Sequence, residues 1–256
     1  MGDIDDSRAP LIDHLIELRR RLIRSLLALA AAFVLCFYFA DAIFAFLARP
    51  LVAAFGADEG TLIYTKLYEA FFVEVRVAFF AAFFIAFPVI ANQIWAFVAP
   101  GLYAREKKAF LPFLIATPVL FVAGGALAYY VVMPTAFGFF LAFEGDLGGI
   151  EQEALPSMGD YLSLVMNFIL AFGIAFLLPV LLMLLERAGI VTRDQLKRGR
   201  RYAILVAFVI AAVATPPDII SQFMLAVPMI LLYELSLIAI WFTERRRARE
   251  QGAKPQ

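Results

Sequence analysis

Two carboxylates in this chain sit where a cationic ligand could be held. Glu17 lies in "PLIDHLIELRRRLIRS" ahead of Arg19, Arg20, Arg21 and Arg24, and Glu106 lies in "WAFVAPGLYAREKKAFLPF" beside Lys107 and Lys108. An ionised carboxylate accepts two parallel hydrogen bonds from one guanidinium, so two of them suit a ligand with adjacent arginines. Trp95, Phe97 and Tyr103 give the second segment an aromatic flank. The competing reading is local. Glu17 and Arg21 stand four apart, the spacing of a helix-surface ion pair worth a few tenths of a kcal/mol, and Glu106 alone is one acid in a basic loop.

Other chemistry is scarce. The sequence holds no GxSxG elbow and no GxxxxGK[ST] phosphate loop, and its single histidine, His14, rules out HExxH and multi-histidine metal sites. The single cysteine, Cys36, cannot form an intrachain disulfide and reads as a small buried hydrophobe. These counts point away from an enzyme and from any metal or cofactor. A third charged set is Glu69, Glu74 and Arg76 near the start of an apolar run, with Glu234 inside another. Charge in a membrane span is costly and usually faces a partner or cavity. Glu74 and Arg76, two apart, do not share a helix face. An ion-coupled secondary transporter using these residues is the alternative reading. It predicts internal repeats around a charged mid-membrane site, and no matching halves are visible.

The elements that must position these groups are membrane helices. Of 256 residues, 63% are hydrophobic and 17% charged, and mean hydropathy is +0.85, against about half apolar and a quarter charged in soluble domains. The fold class is all-α, a single six-span domain over residues 1–256. The spans read as about 22–47, 71–96, 110–141, 161–186, 200–214 and 219–242, kinked by prolines, with the last two helices short. The fifth is the shortest, and so thins the bilayer beside it. It stops at Thr215-Pro216-Pro217-Asp218, which reads as a tight turn between two spans. Residues 1–21 form an amphipathic segment: Leu11, Leu15, Leu18 and Leu22 make one stripe, while His14, Glu17, Arg20, Arg21 and Arg24 cluster on another face. The acidic start and the lack of a small-residue cleavage site argue against a cleaved signal peptide.

Nineteen of the 22 Lys and Arg fall in residues 1–24, 97–110, 187–201 and 243–256, whereas residues 142–160 hold none. The positive-inside rule therefore places both termini, Glu17 and Glu106 in the cytoplasm, with 243–256 as a basic tail.

Taken in order, the motifs resemble those of the TatC family, the multi-span subunit of the twin-arginine protein translocase. The resemblance runs from about Pro10 to Phe242 and rests on "HLIELRRRL", Pro50 in the first outer loop, "PVIANQIWAFVAPGLYAREKKAFLPF", "FVAGGALAYYVVMPTAFGFF", "YLSLVMNFILAFGIAFLLPV" and "TPPDIISQ". It implies that Glu17, Leu18, Arg19, Phe97 and Glu106 recognise twin-arginine signal peptides of folded precursors. It further implies that Pro50 and Asp218 belong to the outer face, and that Gln222 meets single-span TatA/TatB-type subunits. The implied setting is a homo-oligomeric complex in the bacterial cytoplasmic (inner) membrane. It uses no cofactor, binds no nucleic acid and is driven by the proton-motive force. One position departs: Leu177 stands two places before Pro179, where the family usually has a polar residue, most often Glu, associated with contacts to those subunits.

Overall fold

The computed structural model describes residues 8–55, 62–64, 66–102, 111–146, 148, 151–152, 154–216 and 218–252. The described chain is helical apart from one two-residue antiparallel ladder, β1 (Gly145–Asp146) with β2 (Glu151–Gln152). The helices are α1 (Arg8–Tyr38), α2 (Ala40–Phe55), α3 (Glu69–Leu102), α4 (Leu111–Leu127), α5 (Met133–Leu141), α6 (Met158–Ala175), α7 (Leu178–Arg187), α8 (Arg193–Arg198), α9 (Arg200–Ala214) and α10 (Ile219–Gly252). They fall into two compact units, within Met1–Leu47 with Tyr64–Pro118 and within Ala48–Ile63 with Val119–Gln256.

Among the described residues, five helical stretches are long and apolar enough to cross a bilayer: one in α1, then Glu69–Phe97, Pro112–Leu141, Met158–Arg187 and Ile219–Arg245. In α1 the charged turns up to Arg24 lie ahead of the apolar run. The expected fifth span coincides with α9, whose 15 residues rise about 22 Å, short of a hydrocarbon core of about 30 Å.

Several boundaries differ from the sequence reading. The amphipathic segment and first span form one continuous helix, because nothing between Arg8 and Tyr38 breaks the ladder. The expected span to residue 47 instead breaks after Tyr38, and Pro50 lies inside α2 and is buried, not in a loop. The second span, read as ending near residue 96, belongs to a helix that runs on to Leu102. The last helix is not short, since α10 has 34 residues and carries helix into the basic tail.

In the first unit α1 packs on α3. Ala78, Ala82 and Ala86 recur every fourth residue on α3 and meet Ala32 and Cys36, with Leu29, Phe33 and Ile90 around them. Small side chains at this spacing let two backbones approach closely in lipid. Cys36, 2% exposed, is the small buried hydrophobe its neighbours suggested. Trp95 Nε1 donates to Thr117 Oγ1 at 2.8 Å, and Thr117 donates to the Phe113 carbonyl at 2.7 Å. Both buried polar groups are thereby satisfied.

The second unit is bent by its prolines. A π-helical turn, Ala128–Val132, joins α4 to α5. Pro134 cannot donate to the carbonyl four residues back, and a widened turn accommodates that missing bond. Phe176 and Leu177 separate α6 from α7 ahead of Pro179 for the same reason. Gly124 lets α4 touch α6, since a Cβ there would fall 2.4 Å from the Phe172 carbonyl oxygen. Ile63 bridges the segment before α6, with Ile63 N donating to Pro156 O and Met158 N to Ile63 O at 2.8 Å. An apolar cavity of about 400 Å³ lies nearby, lined by Leu51, Phe137, Tyr161 and Leu164.

Candidate functional site

The site begins with α1. Residues 14, 17, 18 and 21 recur at three- and four-residue spacing, so they occupy adjacent rows of that helix. Arg21 donates to Glu17 Oε1 through Nε at 3.0 Å and also through Nη2. His14 Nδ1 lies 4.0 Å from Glu17 Oε2. The local ion pair weighed from the sequence is therefore formed, yet the Glu17 side chain stays 35% exposed. The Arg21 hydrogen bond, aided by the Arg21 and Arg20 charges and opposed by desolvation, holds the Glu17 carboxyl below the ordinary carboxylate range.

The second element is the end of α3. The His14 imidazole stacks on the Phe97 ring with centroids 4.2 Å apart and planes inclined 19°. This contact lays the polar turns of α1 against α3 and brings Phe97 to Glu17's helix. His14 was read only as part of the charged cluster. Its spacing to Glu17 signals a shared face, but nothing local announces the stack. Leu18 is 42% exposed and Arg19 is exposed, so both are available to a ligand. The stripe of Leu15, Leu18 and Leu22 is exposed as well. Glu106 lies outside the described residues.

The remaining candidates lie in the second unit or at the start of α3. Asp218 caps α10, its Oδ1 accepting from Ser221 N at 2.7 Å. Gln222 reaches across to α9, where Nε2 donates to the Phe208 carbonyl at 3.3 Å. Leu177 occupies the α6–α7 break and is half-buried. Two members of the charged set proposed for an ion path have partners within their own unit. Glu234 accepts from Arg200 Nη2 at 2.7 Å, and Glu69 accepts from Lys66 N at 3.3 Å. Glu74 and Arg76 form no ion pair with each other among the described residues.

Comparison with known proteins identifies a family. The profile described as Sec-independent protein translocase protein (TatC) matches residues 13–228. A protein of that name from Magnetococcus marinus is 51% identical over 249 residues, covering 97% of this chain and 90% of that protein. The Escherichia coli protein of that name is 37% identical over 249 residues, covering 97% and 94%. A crystal structure titled as the twin arginine translocase receptor TatC superposes with a TM-score of 0.75 at 39% identity, covering 90% of this chain and 98% of that one. The matched residues 13–228 include Glu17, α3 and α9, and the ion-coupled transporter reading finds no support. The chain belongs to the TatC family of Sec-independent protein translocase components.

Proposed function

We propose that this chain is the receptor and scaffold subunit of a twin-arginine translocase. In this reading all six spans cross the bacterial cytoplasmic membrane as one domain, with both termini cytoplasmic. The α1 prelude meets the twin-arginine signal peptide of a folded precursor. Glu17 and Glu106 take the two guanidiniums, while Leu18, Arg19 and Phe97 shape the surface around them. Pro50 and Asp218 order the outer face. Gln222 meets single-span TatA/TatB-type subunits, and Leu177 limits the polar contacts available to them. Several copies assemble in the working complex, no bond is made or broken, and the proton-motive force drives movement.

The observation that carries this reading is an exposed carboxylate, Glu17, whose helix is braced on Phe97 by the His14 stack. Its present partner is weakly held, because an i,i+4 pair on a helix surface contributes only a few tenths of a kcal/mol. An incoming guanidinium offering a bidentate contact can displace Arg21 at small cost. Until then the Arg21 hydrogen bond holds the carboxyl below its ordinary range. The test is a photo-crosslinker at position 20, one turn from Glu17 on the exposed side of α1. It should capture a precursor with paired arginines and lose it when both become lysine, while the same probe at position 151 captures neither. Equal capture from both positions overturns the reading.

A further inference from the structure

The basic end of α10 forms a second charged site, remote in chemistry from the Glu17 site and contained in the second unit. Its frame is the short helix α8. Thr192 and Gln195 fix the start of α8 through reciprocal bonds, Thr192 N to Gln195 Oε1 at 2.8 Å and Gln195 N to Thr192 Oγ1 at 3.3 Å. Tyr233 Oη donates to the Leu196 carbonyl at 2.7 Å and ties α8 to α10. Leu182, Tyr233 and Leu237 pack beneath, with Leu178, Leu196 and Ala203 against them.

Held this way, Arg193 faces α10 near Trp241. Its guanidinium carbon lies 5.9 Å from the indole centroid, and that of Arg245 lies 4.0 Å from the same ring. Glu244 gives Arg193 one loose partner, at 3.6 Å from Nη1. Arg193 Nε is buried and has no acceptor among the described residues. Two guanidiniums thus share one indole, and only Arg193 has a carboxylate partner among the described residues, which leaves positive charge and a buried donor uncompensated there. Buried N–H groups are ordinarily paired. The chemistry that completes this arrangement is a compact anion with several acceptor oxygens.

Position chooses which anion. The apolar stretch of α10 ends at Arg245, with Trp241 one turn inside it, the depth of lipid headgroups for both residue types. Leu231, Leu235, Ile238 and Phe242 recur at three- and four-residue spacing and are 49–61% exposed. They form a stripe that ends beside Arg245, one turn beyond Phe242. An exposed apolar track leading to two arginines matches acyl chains below a phosphate. We infer that Arg193, Trp241 and Arg245 bind the phosphate of an anionic phospholipid, with its chains along the Leu231–Phe242 stripe.

The test uses the full-length protein in phosphatidylcholine nanodiscs containing a minor fraction of lipid brominated near the headgroup end of its chains. Tryptophan fluorescence is read, and the Trp241→Phe variant supplies the contribution of buried Trp95. Brominated phosphatidylglycerol should be about thirtyfold more effective than brominated phosphatidylcholine at quenching Trp241, the ratio given by about 2 kcal/mol from two arginines near an anionic lipid. The preference should vanish in Arg193→Gln/Arg245→Gln and survive in Arg193→Lys/Arg245→Lys. Equal quenching by the two lipids in the unsubstituted protein overturns the inference without requiring any arginine variant to fold. Loss of the preference on adding glycerol phosphate would instead assign the site to soluble phosphate and overturn the lipid assignment.

Discussion

The imidazole of His14 lies face to face with the phenyl ring of Phe97, 4.2 Å between centroids. One turn further along α1, Glu17 carries the carboxylate that the receptor reading depends on. The stack thus couples the orientation of the α1 prelude to the end of α3. An aromatic pair of this kind contributes about 0.5–1.5 kcal/mol beyond its buried area. His14→Ala is expected to weaken retention of a twin-arginine peptide about two- to tenfold, while His14→Phe keeps it. Peptide titration in detergent, read beside the thermal unfolding of each variant, separates loss of the brace from loss of the fold.

The Glu17–Arg21 pair yields a pH prediction. The folded carboxyl titrates below its ordinary value, so the ionised form and its pair are fully present above the ordinary carboxylate range. They are lost as the pH falls through the lowered value. The Glu17 contribution to peptide binding should therefore be constant at neutral pH and fall only once the pH drops below the ordinary carboxylate range. Arg21→Gln removes the first cause of the shift, so the acid limb should move upward. At neutral pH the same variant removes only a weak competitor, and affinity should rise by no more than about twofold. Titration of peptide affinity against pH for both proteins checks all three statements.

Much of this was legible before any coordinates. The apolar runs located the long helices because bilayer thickness sets their length. The Thr215–Asp218 sequence located the α9–α10 turn because proline there removes donors. Ends inside continuous apolar sequence were not legible. The break after Tyr38 has no Pro or Gly to mark it, and the turn at Ala128–Val132 answers to a proline further along. At the site, the 17–21 pair follows from helical spacing. The His14–Phe97 stack and the Arg200–Glu234 bond do not, because each joins residues far apart in sequence through packing alone.

The Arg200–Glu234 bond separates the receptor from the transporter reading. Glu234 is paired to the first residue of α9 and partly exposed, so its contribution to stability is at most about 1 kcal/mol. Glu234→Gln should fold and retain precursor export. An ion path through Glu234 predicts loss of export instead. Export of a reporter carrying a twin-arginine signal, measured in cells with only the variant subunit, decides between them.

Close approach of α4 and α6 makes Gly124 a sensitive position. A Cβ there meets backbone atoms of Phe172, at 2.4 Å from the oxygen and 2.8 Å from the carbon. Backbone cannot move aside as a side chain can. Gly124→Ala should destabilise the purified protein by about 1–3 kcal/mol through overpacking. Gly138→Ala, where a Cβ meets nothing within 4 Å, should be neutral or stabilising. Denaturant or thermal unfolding of the two variants in the same detergent gives the comparison.

The central claim is recognition of paired arginines through Glu17. Its most direct test is the affinity of the detergent-solubilised protein for a signal peptide with two consecutive arginines, compared with the same peptide carrying two lysines. The account predicts that the arginine peptide binds tightly, that the lysine peptide binds far more weakly, and that Glu17→Gln removes the difference. Equal affinity for both peptides, or a preference for arginine that survives Glu17→Gln undiminished, contradicts it.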